Sequence, residues 1–120
     1  MISFGADVRV FVATQPIDFR KGVHGLIGLV AEGLNGAPYS GDVFVFRSKR
    51  PDRLKILVFD GTGMWLMTKW LELDGGRFAW PPIREGKMML SATQLAMLLD
   101  GLSEWLKIAP RPAKRPIKIA

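Results

Sequence analysis

Turn-forming residues recur so closely between Val43 and Trp80 that no long helix fits there. Ser48-Lys49-Arg50-Pro51-Asp52-Arg53, Asp60-Gly61-Thr62-Gly63 and Asp74-Gly75-Gly76 cut the segment into pieces. Between them lie Val43-Phe44-Val45-Phe46, Leu54-Lys55-Ile56-Leu57-Val58-Phe59, residues 64–71 and Arg77-Phe78-Ala79-Trp80. Each is short and rich in β-branched or aromatic residues, so each reads as a strand, and connections this short favour an antiparallel meander. Upstream, Val8-Arg9-Val10-Phe11-Val12-Ala13 reads as a first, largely buried strand that Thr14-Gln15-Pro16 ends.

Two helical patterns flank the strands. Asp18 can cap a helix whose apolar positions Phe19, Val23, Leu26, Ile27, Val30 and Leu34 recur every three to four residues. Gly22, Gly25, Gly28 and Gly33 weaken that helix by up to about 1 kcal/mol each relative to alanine, and close approach to a sheet is the expected use of such small residues. Ser91-Ala92-Thr93-Gln94 matches a capping box and is followed by the stripe Leu95, Leu98, Leu99, Leu102, Trp105 and Leu106. The expected fold is α+β: a small antiparallel sheet of about five strands packed with two helices, in the order βαββββα. Residues 1–108 form one domain in this reading. Residues 109–120, which contain Pro110, Pro112 and Pro116, form a basic, flexible tail.

Composition removes much chemistry. With no cysteine among 120 residues and one histidine, His24, the chain cannot build a cysteine-based metal site, a thiol nucleophile or a multi-histidine centre. No serine, acid or second histidine stands at a spacing that identifies a relay with His24. Two of Asp7, Asp18, Asp42 and Asp60 could in principle converge on a magnesium ion, but caps and turns use aspartate routinely. Gly61-Thr62-Gly63 lacks the lysine and flanking glycines of a phosphate-binding loop and reads as a tight turn. No cofactor is expected. The uninterrupted apolar runs are four or five residues, far below the roughly 20 of a membrane helix, and Met1–Asp7 lacks the early positive charge of a secretory signal. A soluble cytoplasmic protein without a membrane partner is expected.

What remains is a strong positive bias, a net charge of +6 with a pI near 10.1. It is concentrated: residues 47–55 and 107–118 together hold ten bases and one acid, while the rest of the chain is net acidic. The first cluster, Arg47, Lys49, Arg50, Arg53 and Lys55, falls on the first hairpin of the meander, and Lys114 and Arg115 fall in the tail. These seven residues are the candidate DNA contacts. Aromatic residues on strands beside basic loops can stack bases, and Trp65 and Trp80 are the candidates for that role.

Several stretches carry a more specific signal. They are Val10-Phe11-Val12-Ala13-Thr14-Gln15-Pro16-Ile17-Asp18-Phe19-Arg20-Lys21-Gly22, Val43-Phe44-Val45-Phe46-Arg47-Ser48-Lys49-Arg50, Asp52-Arg53-Leu54-Lys55-Ile56-Leu57, Asp60-Gly61-Thr62-Gly63 and Arg77-Phe78-Ala79-Trp80-Pro81. In this order, and with the terminal helix at Leu90-Ser91-Ala92-Thr93-Gln94-Leu95, they resemble the TnpB accessory proteins of insertion-sequence-66 type bacterial transposons. The RNA-guided nucleases that share that name are a different family. The resemblance implies a small accessory factor that assists a separate transposase, with the transposase and another accessory protein of the same element as partners. It supplies no catalytic residues. A non-catalytic, DNA-binding role is therefore the leading expectation. A protein-interaction module for the transposase with little DNA contact, and a metal-dependent nuclease, are the alternatives.

Overall fold

The apolar run Val10-Phe11-Val12-Ala13 does not alternate with polar residues, because both faces of its strand are covered. A computed structural model describes residues 7–72, 75–83 and 86–107. It contains β1 (Val10–Ile17), β2 (Val43–Ser48), β3 (Arg53–Phe59), β4 (Met64–Trp70) and β5 (Lys87–Leu90), joined in one sheet in the order β4-β3-β2-β1-β5. Helix α1 (Val23–Gly28), prolonged by a π-helical turn over Leu29–Gly33, covers one face, and α2 (Ala92–Leu99) with a 3-10 turn at Glu104–Lys107 covers the other. Val10, Val12, Val43, Val45, Leu54 and Ile56 pack with Leu95, Leu98, Leu99 and Trp105. On the opposite face Phe11, Ala13, Phe44, Phe46 and Leu57 pack with Leu26, Val30 and Leu34. Successive residues of a strand thus feed two cores, which is why β1 and β2 read as continuous hydrophobic runs.

Five strands and two helices are present, in the expected order βαββββα. The sheet is mixed, however, because β1 and β2 run parallel, with Val10 opposite Val43 and Phe11 opposite Phe44. A parallel pair needs a long crossover, and residues 18–42, with α1 inside them, supply it. The other three pairings are antiparallel. The fifth strand is not residues 77–80 but Lys87–Leu90, which pairs with β1. Residues 77–80 are held instead by single bonds: the Phe78 amide donates to Pro51 O at 2.7 Å, and the buried Trp105 indole donates to Ala79 O at 3.0 Å. Strand β1 also runs past Pro16 to Ile17, where a break in the β1–β2 register accommodates the proline.

Asp18 does not cap α1. The helix begins at Val23 with Gly22 at its N-cap and no side-chain bond there, while Asp18 to Lys21 form a turn closed by the Lys21 amide on Asp18 O. The helical glycines make no close approach to the sheet: a Cβ on Gly22 or Gly28 would meet open space. The close approach to the sheet is at Gly36, just past the π turn, where a Cβ would lie 3.1 Å from Phe44 of β2 and from Val30. Asn35, at φ 53°, turns the chain into that approach, a conformation that asparagine tolerates well. At α2 the capping box forms as expected, with Ser91 Oγ accepting from the Gln94 amide and Gln94 Oε1 accepting from the Ser91 amide.

Candidate nucleic-acid interface

The register places one set of chain reversals together. Ile17 at the end of β1 lies opposite Ser48 at the end of β2, and Arg53 at the start of β3 lies opposite Trp70 at the end of β4. The turn at residues 18–22, the β2–β3 tip and the chain leaving β4 therefore share one end of the sheet. The tip anchors its surroundings, since the Leu71 amide donates to Asp52 O at 2.8 Å and the Phe78 amide to Pro51 O. Lys21, Lys49, Arg50 and Arg77 are exposed at this end, and among the described residues none forms an ion pair. Arg20 is exposed too, but its guanidinium is bound to both oxygens of Asp18. The Arg20 side chain and amide hold the Asp18 carboxyl well below its ordinary range, and the nearby charge of Lys49 adds to the effect.

The five hairpin bases nominated from the sequence divide into two groups. Lys49 and Arg50 point to solvent, with the Arg50 amide fastened to Ser48 Oγ. Arg47, Arg53 and Lys55 turn toward the protein. Lys55 is 8% exposed, and its ammonium donates to Phe19 O at 2.6 Å and Lys21 O at 2.9 Å while lying 4.5 Å from the Phe19 ring centre. It ties the 18–22 turn to the sheet. Arg47 donates to Thr14 O and Pro81 O and lies over the Trp80 ring, and burial lowers its pKa from the arginine value. Arg53 stacks on Trp70, 4.7 Å from the ring centre, and lies 3.6 Å from an Asp52 carboxylate oxygen. Lys114 and Arg115, with the whole 109–120 tail, lie outside the described residues.

The candidate aromatic residues are also separated. Trp65 is exposed at the opposite end of the sheet, where its indole donates to Asp60 Oδ2. Trp80 is half-buried beneath Arg47, beside a cleft of about 460 Å³ that Arg77, Pro51 and Leu106 also line. The aromatic residue that does stand exposed at the basic end is Trp70, which sequence reasoning did not single out; only its pairing with Arg53 across the β3–β4 ladder brings it there. Arg77 and Lys21 were missed because each lies far along the chain from the 47–55 cluster and only the fold brings it to this end.

The aspartates occupy separate local roles. Asp42 is bound by two nitrogens of Arg9 at 3.1 and 2.8 Å. Asp60 accepts from the Thr62 and Gly63 amides, the Thr62 hydroxyl and the Trp65 indole, and these donors, the Thr62 amide foremost, hold its carboxyl well below its ordinary range. Among the described residues no three histidine, aspartate or glutamate side chains gather into a group that could hold a metal ion.

The family model for the IS66 Orf2-like protein matches residues 8–108, which span every element of the fold. The chain belongs to that family. Two relatives from Sinorhizobium fredii (strain NBRC 101917 / NGR234) align along their whole lengths. "Uncharacterized protein y4jC" is 47% identical over 120 residues, covering 100% of both chains. "Uncharacterized protein y4hO" is 40% identical over 119 residues, covering 99% of each. No solved structure matches. IS66 Orf2-like membership makes the chain a transposition accessory protein, associated with the transposition machinery of its element. Among the described residues no helix is long and apolar enough to cross a membrane.

Proposed function

We propose that this IS66 Orf2-like protein is a non-catalytic factor that binds DNA through the basic end of its sheet and presents it to a separate transposase. The observation that carries the reading is the gathering of Lys21, Lys49, Arg50 and Arg77, exposed and in no ion pair among the described residues, around the end where three chain reversals meet. Phosphates are the natural counter-charge for such a cluster, and in this reading the strand chemistry belongs to the transposase. Lys55 is omitted from the contacts because its ammonium is buried on backbone carbonyls. Lys114 and Arg115 remain candidate contacts from charge alone.

The test is salt-dependent titration of fluorescent duplex carrying the transposon ends. Neutralising about four phosphates gives a slope of log affinity against log salt near −3.6, or roughly a 10²-fold loss between 50 and 200 mM salt. Lys49→Glu with Arg50→Glu should remove most of that affinity and at least halve the slope, with an unchanged unfolding midpoint. If the folded double variant binds as the wild type does, this end of the sheet is not the DNA surface. If the wild type binds the transposase but not DNA, the protein is an interaction module instead.

A further inference from the structure

The basic end also carries a ring surface, and the geometry points to a track for single-stranded DNA across the open corner of the sheet between β4 and the 18–22 turn. Trp70 is 56% exposed, although tryptophan is costly to leave in water. It is not loose, because the Arg53 guanidinium lies against the ring at 4.7 Å and Asp52 lies beside that guanidinium. A ring fixed by a cation and still largely open is suited to receive a second flat group. The same strand face continues through Thr68, which pairs with Lys55 and is exposed. Lys55 in turn holds Phe19 and Lys21 at the far side of this corner. Lys49 and Arg50 flank it on the tip.

An aromatic platform next to a line of cations matches an unpaired strand, whose bases can stack while its phosphates run past the lysines. A duplex offers its phosphates but keeps its base faces stacked inside. The proposed occupant is therefore an unpaired stretch of DNA, such as a frayed end, recognised without a strong base preference because every base has a ring face to offer. The inference rests on the DNA-binding reading, and adds a second mode to it.

The experiment compares oligo-dT of about ten nucleotides with a duplex of equal length, for the full chain, Trp70→Ala and Trp70→Phe, at one low salt concentration. Trp70→Ala should lower affinity for oligo-dT by about tenfold or more, as expected for loss of one stacked base. Trp70→Phe should recover most of it, and duplex affinity should change less than twofold in either variant. Equal thermal midpoints show that the fold is intact, and the phenylalanine variant keeps the test usable if alanine perturbs the β3–β4 edge. Wild-type protein that binds duplex but not oligo-dT overturns the track and leaves the duplex reading standing. Trp70→Ala that weakens both ligands alike also overturns it, because Trp70 would then act only by positioning Arg53. Binding of neither ligand removes both readings.

Discussion

Replacing Lys55 by methionine separates a structural lysine from a phosphate contact. Methionine keeps a stem of similar length, so the change chiefly removes the ammonium. What is lost is two hydrogen bonds from a charged donor, to Phe19 O and Lys21 O, and its contact with the Phe19 ring. Bonds to a charged group contribute about 1.5 to 3 kcal/mol each and the ring contact about 0.5 to 2. Two effects work against the sum. The buried ammonium no longer has to be desolvated, and the freed carbonyls can take water because Lys21 is exposed and Phe19 half-buried. A net loss of about 2 to 3 kcal/mol follows, which for a domain of this size lowers the thermal midpoint by roughly 8 to 12 °C. Urea unfolding followed by circular dichroism measures the first figure, and hydrogen exchange at residues 19–22 should show the turn opening before the sheet. DNA titration on the folded fraction should give a salt slope close to that of the wild type. A variant within 0.5 kcal/mol of the wild type whose slope drops by about one would refute this, since Lys55 would then be spending its charge on a phosphate.

Ser91→Ala removes the side-chain half of the α2 capping box and should cost about 1 kcal/mol, read as a shift of the urea midpoint at constant slope. Asp60 and Asp18 both titrate below the ordinary aspartate value of 3.8 in the folded chain, so their contribution to stability is complete above about pH 4 and is lost as pH falls through the lowered folded values. Asp60→Asn keeps an acceptor for the Thr62 amide but no longer titrates, so its stability should fall less steeply than that of the wild type below about pH 4, measured as urea midpoints across that range. An identical acid slope in the two proteins would show that the Asp60 turn is not what acid breaks.

Much of the architecture was readable because it depends on local chemistry. The hairpin follows from a proline-containing tip between two apolar runs, and α2 follows from Ser91, Gln94 and the leucine stripe, all within a few residues of one another. The parallel β1–β2 pair was hidden in plain features: continuous apolar runs on both sides of a helix are what a strand covered on two faces looks like. The fate of Arg77-Phe78-Ala79-Trp80 was not readable, since a buried Phe78 and a backbone bond to Pro51 serve a pinned loop as well as they serve a strand. Charge clustering in the chain located the basic end but not its membership. Nothing local to Arg47, Arg53 or Lys55 distinguishes them from Lys49 and Arg50; the difference arises from which side of the ladder each faces and what lies across it, Trp80, Trp70 and the Phe19–Lys21 carbonyls.

Covering both faces of the sheet also restricts where the protein can act. With α1 on one side and α2 on the other, the centre of β1, β2 and β3 is closed, and what the sheet leaves is its two ends and its β4 and β5 edges. The ends differ in charge. At the start of β1 and β2 stand Asp7, the Arg9–Asp42 pair and Asp60 with its turn donors, where each described base or acid of the pair is already answered. Among the described residues at the other end stand the bases Lys21, Lys49, Arg50 and Arg77 and the acids Asp18, Asp52 and Glu72, of which the first two acids are committed to Arg20 and Arg53. A polyanion approaching such a molecule is drawn to one end. In the proposed reading it meets the β2–β3 tip, with the exposed Trp70 on the adjoining end of β4. The edge strand and the basic end are therefore contiguous, because Trp70 belongs to both.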